Sequence, residues 1–387
     1  MGESRIAYLL WGTAAVYSRS ANAYQKIRLA VENLDATIVL PSGCLSWLPE
    51  DFKGRARVLE FSFPKIFLHG KVGKVFEGLF CSYASFRLRR RFDKFLVNTG
   101  NEFVFFWIRL AEIWARLYLL CWDPPGIAAR DGESRVARLR CALMDRLFAA
   151  TARKSLGVIL NLHEGFLGRF PQDVHGKFHV FPNGTNVSVN RAAASGVVRV
   201  PKRIAVNGAF DAVKGCWDVA NLFADIWALD HDVSLVWTGR GSEKDAVAKL
   251  FDEKGIPPTA YTLGFGSHDY TMVNLATASV ALNAYRDVES LRWNYVLKAP
   301  EFLSLGLPIV SVRLPGVAYY IEDGQTGVFF KSGDWIEAKA AICDLLTDRD
   351  RLLKMQERAG RVAEKFEWSD INRRIAQTIL RTGECES

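Results

Sequence analysis

Short runs of β-branched and aliphatic residues alternate with stretches of helical spacing along nearly the whole chain. In the first half, residues 5–11, 36–41, 158–162 and 178–184 read as buried strands, and residues 22–33 as a helix. Residues 103–122 divide into strand (103–106), helix (107–116) and strand (117–122), stopped by the two prolines of WDPPG at 122–126. Residues 133–155 have helical spacing, with Val136, Leu139, Leu143, Leu147 and Phe148 on one side. A stretch of small and polar residues at 185–202 reads as a linker. A second series follows, with strands at 203–208, 233–239, 260–265, 279–284 and 327–330 separated by helical segments. Such alternation predicts an α/β protein of two Rossmann-like domains, 1–187 and 188–365, each a parallel sheet covered by helices and the two facing across a cleft.

Composition narrows the class. A chain of 387 residues is too long for one average core, and 49% apolar content describes an ordered globular protein. The seven cysteines, at 44, 81, 121, 141, 216, 343 and 385, show neither a CxxC pair nor metal-ligand spacing, which suits reduced thiols in a cytoplasm. The apolar run near the start is about seven residues long, too short for a secretory signal. The most apolar window, 103–122, carries Arg109, Glu112 and Arg116, which excludes a spanning helix. Charge is divided unevenly: 28 Lys and Arg face 16 Asp and Glu in residues 1–199, against 22 and 26 in residues 200–387. The first half therefore suits an anionic partner.

In open α/β sheets, ligands bind beyond the carboxyl ends of the strands, which selects four loops of the second half. In GAFDAVKG (208–215), Gly208 permits close approach and Lys214 is placed to pair with phosphate or to be a solvated turn lysine. In GRG (239–241), Gly239 allows a ligand near the backbone or a tight turn. In GFGS (264–267), Phe265 and Gly266 offer a resting place for a planar base or an ordinary strand end. The fourth loop runs from Tyr285-Arg286 into VLKAPEFLSLGLPIVS (296–311). Pro300 belongs in a first helical turn, so the helix starts near Leu297 or Lys298, with Glu301 beside the amides of Asn294, Tyr295, Val296 and Leu297.

The ordered set Lys214-Gly215, Gly239-x-Gly241, Gly264, Tyr285-Arg286 and K-x-x-E-F-L-S-x-G-x-P-I-V resembles the retaining nucleotide-sugar glycosyltransferases of family 4, which have the GT-B fold. PNGT (182–185) is similar to that family's element before the interdomain linker. FEWSDINRR (366–374) is similar to its closing segment, implying that 366–387 is a helix crossing back to the first domain. The resemblance covers residues 150–375 and implies that Lys214 contacts the donor diphosphate and that Glu301 accepts from ribose hydroxyls. Two positions depart from the family pattern: Ala209 stands for an arginine and Trp293 for a glutamate. A branch with a P-Y…N…K-x-x-E pattern also lacks that glutamate, and Tyr285, Asn294, Lys298 and Glu301 resemble it; Arg286 is the candidate replacement for the missing charge.

No cofactor or metal is expected. The two D-x-D triplets, 230–232 and 348–350, precede a strand and lie in a helical region, away from the expected site. On the acceptor side the candidates are Gly12 and Thr13 in the first turn, Asp123 in WDPPG and His163 in NLHEG, the last two equally well read as turn residues. Asp123, Lys214 and Glu301 are the candidate catalytic residues, and the family implies front-face attack with retention. Residues 61–98 interleave aromatics with Lys and Arg; Phe86, Arg87, Arg89, Arg90, Arg91, Phe92 and Phe95 suggest a helix resting on an anionic membrane, or a solvated face. No nucleic-acid motif is present. The sequence thus predicts a cytoplasmic enzyme at the inner face of the cell membrane. It would transfer sugar from a nucleotide-diphosphate donor to a glycan or lipid-linked acceptor in cell-envelope or exopolysaccharide assembly. A nucleotide-sugar epimerase and a catalytically silent sugar-nucleotide-binding protein are the alternatives.

Overall fold

The computed structural model describes residues 5–12, 22–64, 70–99, 104, 107–108, 116–122 and 134–382. They fall into two compact units, one of residues 1–182 with 368–387, the other of residues 183–367. The first contains a seven-stranded sheet of β1 (Ile6–Leu9), β2 (Thr37–Pro41), β3 (Val58–Phe61), β4 (Lys94–Asn98), β5 (Leu117–Cys121), β6 (Gly157–Leu160) and β7 (Phe178–Val180). Its order is β3-β2-β1-β4-β5-β6-β7, with every pairing parallel. The second contains β8 (Arg203–Asn207), β9 (Ser234–Thr238), β10 (Tyr261–Gly264), β11 (Val280–Asn283), β12 (Ile309–Val312) and β13 (Gly327–Phe330). Its order is β10-β9-β8-β11-β12-β13, again parallel throughout. Both are Rossmann-like domains. A parallel sheet is covered on both faces, which is why β5, β9 and β12 are unbroken buried runs rather than alternating ones.

Strand order reverses between β1 and β4 in the first sheet and between β8 and β11 in the second. These are the switch points where helices diverge to opposite faces and leave a crevice at the strands' carboxyl ends.

Several local expectations are corrected. Val104 is helical, not part of a strand. Residues 185–202 are not a featureless linker, because Val187–Ala193 forms a helix. Its buried Asn190 donates to Thr185 Oγ1 (2.8 Å) and Ser304 Oγ (2.9 Å). Residues 61–98 do not make one basic amphipathic helix. The Gly70–Leu88 helix takes in Arg87 and ends before Arg89, Arg90 and Arg91, and Phe92 and Phe95 are buried core residues flanking and within β4. The Arg135–Lys154 helix is present, but it packs inward through Cys141, Met144 and Phe148, leaving Val136, Leu139 and Leu143 in solvent.

The Trp368–Arg381 helix belongs to the first unit. Asn372 donates to Gln25 Oε1 at 3.0 Å. The buried Lys94 ammonium donates to the carbonyls of Ile379 (2.9 Å), Leu380 (3.1 Å) and Thr382 (2.8 Å). A cation there meets the negative end of the helix dipole and satisfies carbonyls with no partner in the helix itself. Lys94→Met keeps the stem and removes the donors. It is expected to destabilise the first unit by about 2 kcal/mol, with amide exchange accelerating first along the last turn; unchanged exchange there would contradict the capping role.

Candidate functional site

The recess at the second switch point is built from strand ends. β8 delivers Asn207 and Gly208, β11 delivers Asn283 and Ala284, and Tyr285, Lys214 and Lys298 complete the wall. Lys214 closes a short 3-10 turn (Ala212–Lys214) and is exposed. Gly215 follows with φ of 80°, a left-handed conformation that starts the Cys216–Trp227 helix at the recess. Lys298 opens the seven-residue Lys298–Ser304 helix, as Pro300 requires, and its ammonium lies 5.4 Å from the centre of the Tyr285 ring. A Cβ on Gly208 would stand 3.7 Å from that ammonium, so the two lie side by side.

Glu301, one turn into this helix, is 8% exposed, and its Oε2 accepts from Asn207 Nδ2 at 3.1 Å. Asn207 is itself oriented by the Thr238 hydroxyl, which donates to its Oδ1 at 3.4 Å. Burial pushes the Glu301 carboxyl up from 4.5 to about 7, against the opposing pull of Lys298 and the Asn207 hydrogen bond. An acceptor-only carboxylate with one oxygen on Asn207 retains lone pairs for hydroxyl donors. Beside it, the recess wall carries two lysines and, among the described residues, no carboxylate, an arrangement suited to a diphosphate.

Other candidates are placed differently. The Gly208 N–H donates to Thr238 O (2.9 Å), and its carbonyl accepts from Trp237 Nε1 (2.9 Å). Gly239 N–H donates to Gly264 O at 2.8 Å, and a Cβ there would overlap the Gly208 carbonyl. These backbone groups serve the sheet, and Gly239 is glycine because two loops touch. Gly264 and Gly266 likewise make room for the Tyr270 ring, while Phe265 stands 53% exposed with the Arg240 guanidinium 4.1 Å from its centre. The Asn294 N–H is occupied by Leu291 O at 3.2 Å, and Tyr295 and Val296 are buried, so the amide row expected before the helix is only partly free. Leu297 is the N-cap of the Lys298–Ser304 helix. Arg286 reaches the start of the Cys216–Trp227 helix, where Nε and Nη2 hold Asp218 Oδ2 at 3.0 and 2.9 Å. Trp293 donates to Glu289 Oε1 at 3.2 Å.

In the first domain, Thr13 and Asp123 lie outside the described residues. Gly12 follows β1 with φ of 89° and open space around it. His163 caps a 3-10 turn, its Nδ1 accepting from Gly165 N–H at 3.1 Å, and burial lowers its pKa. β1 and β6 are three strand positions apart, about 14 Å, so Gly12 and His163 do not converge. Two groups escaped the sequence reading. Asn207 was visible only as a polar residue closing an apolar strand. Lys26, buried, donates to Asn98 Oδ1 at 2.7 Å beside the Trp122 ring, and so joins the ends of β4 and β5.

Comparisons with known proteins bear on the family and the fold. Residues 193–366 match the family model described as glycosyl transferases group 1. The chain is 30% identical over 111 residues to the D-inositol 3-phosphate glycosyltransferase of Corynebacterium kroppenstedtii, which is 28% of this chain and 23% of that protein. A second such enzyme, from Nocardia farcinica, is 34% identical over 85 residues, 21% of this chain and 18% of that protein. The chain therefore matches less than a quarter of the length of these curated relatives. Among solved structures, HepE of Anabaena in complex with UDP superposes with a TM-score of 0.70 at 15% identity, covering 97% of this chain and 99% of that one. Sucrose-phosphate synthase of Thermosynechococcus elongatus gives 0.71 at 16% identity, covering 97% and 98%. The fold is GT-B.

Within this GT-B chain the matched segment contains the switch-point recess with Lys214 and Lys298 on its wall, and also Glu301, which Asn207 of that wall holds. Among the described residues no cluster of three or more His, Cys, Asp or Glu is placed to hold a metal. Asp230 and Asp232 pair with Lys202 at 2.7 and 3.5 Å, and Asp348 caps the Arg349–Val362 helix.

Proposed function

We propose that the protein is a glycosyltransferase moving a sugar from a nucleoside-diphosphate sugar to a hydroxyl of a glycan or lipid-linked acceptor, with retention and without a metal. One observation carries the reading: a buried carboxylate, Glu301, held by Asn207 beside the two lysines of the switch-point recess. Ribose hydroxyls donate to Glu301, and the diphosphate lies against Lys214 and Lys298, which stabilise the leaving charge where a metal otherwise would. Front-face attack, with the leaving phosphate oxygen taking the acceptor proton, is the step proposed for this transfer. The match to group 1 glycosyl transferases and the UDP complex of the HepE neighbour support this reading and make UDP the first donor nucleotide to test. Asp123 and His163 remain acceptor-side proposals, and a peripheral site at the inner membrane face remains the proposed location.

The test is turnover of UDP-, GDP- and ADP-sugars with and without added glycan acceptors, with the anomeric configuration of product read by NMR. Slow donor hydrolysis that disappears in Lys214→Ala and persists in EDTA is expected; nucleotide binding with no turnover over any acceptor panel would favour a silent binding protein. The exposed Phe265 is the proposed platform for the base. Phe265→Ala is expected to weaken UDP binding about tenfold by calorimetry while leaving the fold intact, since more than half of this side chain is in solvent; unchanged affinity would place the base elsewhere.

A further inference from the structure

The Arg135–Lys154 helix has two apolar faces, and only one is used within the fold. Cys141, Met144 and Phe148 point into the first domain and are almost fully buried. On the other side Val136, Leu139 and Leu143, spaced three and four apart, are 76%, 73% and 47% exposed. These are aligned on one stripe about 10 Å long. Among the described residues of the first domain, exposed aliphatics elsewhere do not form such a row. The stripe is bordered by arginines: Arg135, Arg138 and Arg146 flank it on one side and Arg140 on the other, all exposed. No Asp or Glu occurs from position 134 to 144. Arg135, Arg138 and Arg146 make no ion pair among the described residues, and Asp145 is taken by Arg169 at 3.1 Å.

We propose that this outward face is a docking surface for an anionic lipid bilayer, with Val136, Leu139 and Leu143 entering the headgroup boundary and the arginines on phosphates. An apolar stripe between cations is the pattern of a helix lying in the plane of the interface, its long basic side chains reaching outward to headgroups. Charge selects the occupant. A second copy of the helix would set arginine against arginine, whereas a surface of phosphate esters neutralises them all. The excess of Lys and Arg in the first half of the chain strengthens the same attraction. The proposal moves the membrane contact from residues 61–98, where Phe92 and Phe95 are core, to this helix. It also does not depend on the donor site, because vesicle binding needs no nucleotide.

The experiment is flotation of the full chain with vesicles of phosphatidylglycerol in phosphatidylcholine, and with phosphatidylcholine alone. The wild type is expected to float with the anionic vesicles only, and less as salt rises. R135Q/R138Q/R146Q is expected to weaken partition about a hundredfold, at about fivefold for each arginine. V136S/L139S/L143S is expected to weaken it at least about tenfold, with the same melting temperature and the same UDP affinity as the wild type. The inward face is unchanged in both variants, so loss of binding with retained melting supports the proposal. No flotation of the wild type, equal flotation of the variants, or a wild-type dimer that the serine variant converts to monomer would each overturn it.

Discussion

Glu301→Gln is expected to weaken UDP binding about thirtyfold at pH 8, by removing the charged acceptor proposed for ribose hydroxyls while leaving the oxygen that Asn207 holds. The same change is expected to stabilise the unliganded protein at that pH. Burial raises the carboxyl from 4.5 to about 7, so the folded state binds its proton more tightly than the unfolded chain. Stability is therefore complete below about pH 4.5, falls between 4.5 and 7, and is flat above. The ionised carboxylate thus costs on the order of 3 kcal/mol at pH 8, which glutamine recovers in part. Donor binding is expected to have the opposite slope, strengthening as Glu301 ionises, and that component of its pH dependence should vanish in the variant. Calorimetry and urea unfolding at pH 5 and pH 8 read both effects. A Glu301→Gln protein that binds UDP as tightly as the wild type would remove the carboxylate from the donor site, whatever its stability.

Gly239→Ala is the second change of large effect, and it acts through folding. A Cβ at this position overlaps the Gly208 carbonyl oxygen, which Trp237 Nε1 and the closely packed loop hold in place. Relief requires separating the ends of β8 and β9, where Gly208 N–H bonds Thr238 O. A loss of about 3 kcal/mol or more in the second domain is expected, with a lower urea midpoint and little soluble protein at 37 °C. Gly255→Ala is the comparison: it meets nothing within 4 Å and is strained only by its φ of 73°, so about 1 kcal/mol is expected. Equal effects of the two would show that the contact at Gly239 relaxes freely.

Much of the second domain was legible because its information is local. Pro300 fixes the start of the Lys298–Ser304 helix, and the apolar strands mark where loops must open. That reasoning named Lys214, Lys298 and Glu301 as candidates, and the structure brings the two lysines to one recess and Glu301 to its Asn207. It could not reach Asn207, whose role depends on a partner 94 positions away. Gly239 shows the converse failure: a glycine in a loop invites a ligand, and only the fold reveals the neighbouring carbonyl. Residues 61–98 misled for a similar reason. Aromatics among arginines look alike whether they face lipid or the core, and β4 draws Phe95 inward while Phe86 stays at the surface. The Arg135–Lys154 helix carries apolar residues on two faces, and periodicity alone does not say which one the sheet covers.

The Lys94 cap has a consequence for how the chain is made. Its carbonyl partners lie 285 to 288 positions downstream, beyond the whole of the second domain. At about 5–20 residues per second, roughly 15–60 s separate synthesis of the lysine from synthesis of the carbonyls that receive it. Until then the Lys94 ammonium lacks the three carbonyls of the helix end, and Gln25 lacks its Asn372 partner. Residues 183–367 have all their own strands before that helix emerges. The domain begun first is thus the one completed last, and a nascent chain stalled in the second domain would present an unfinished first domain to chaperones.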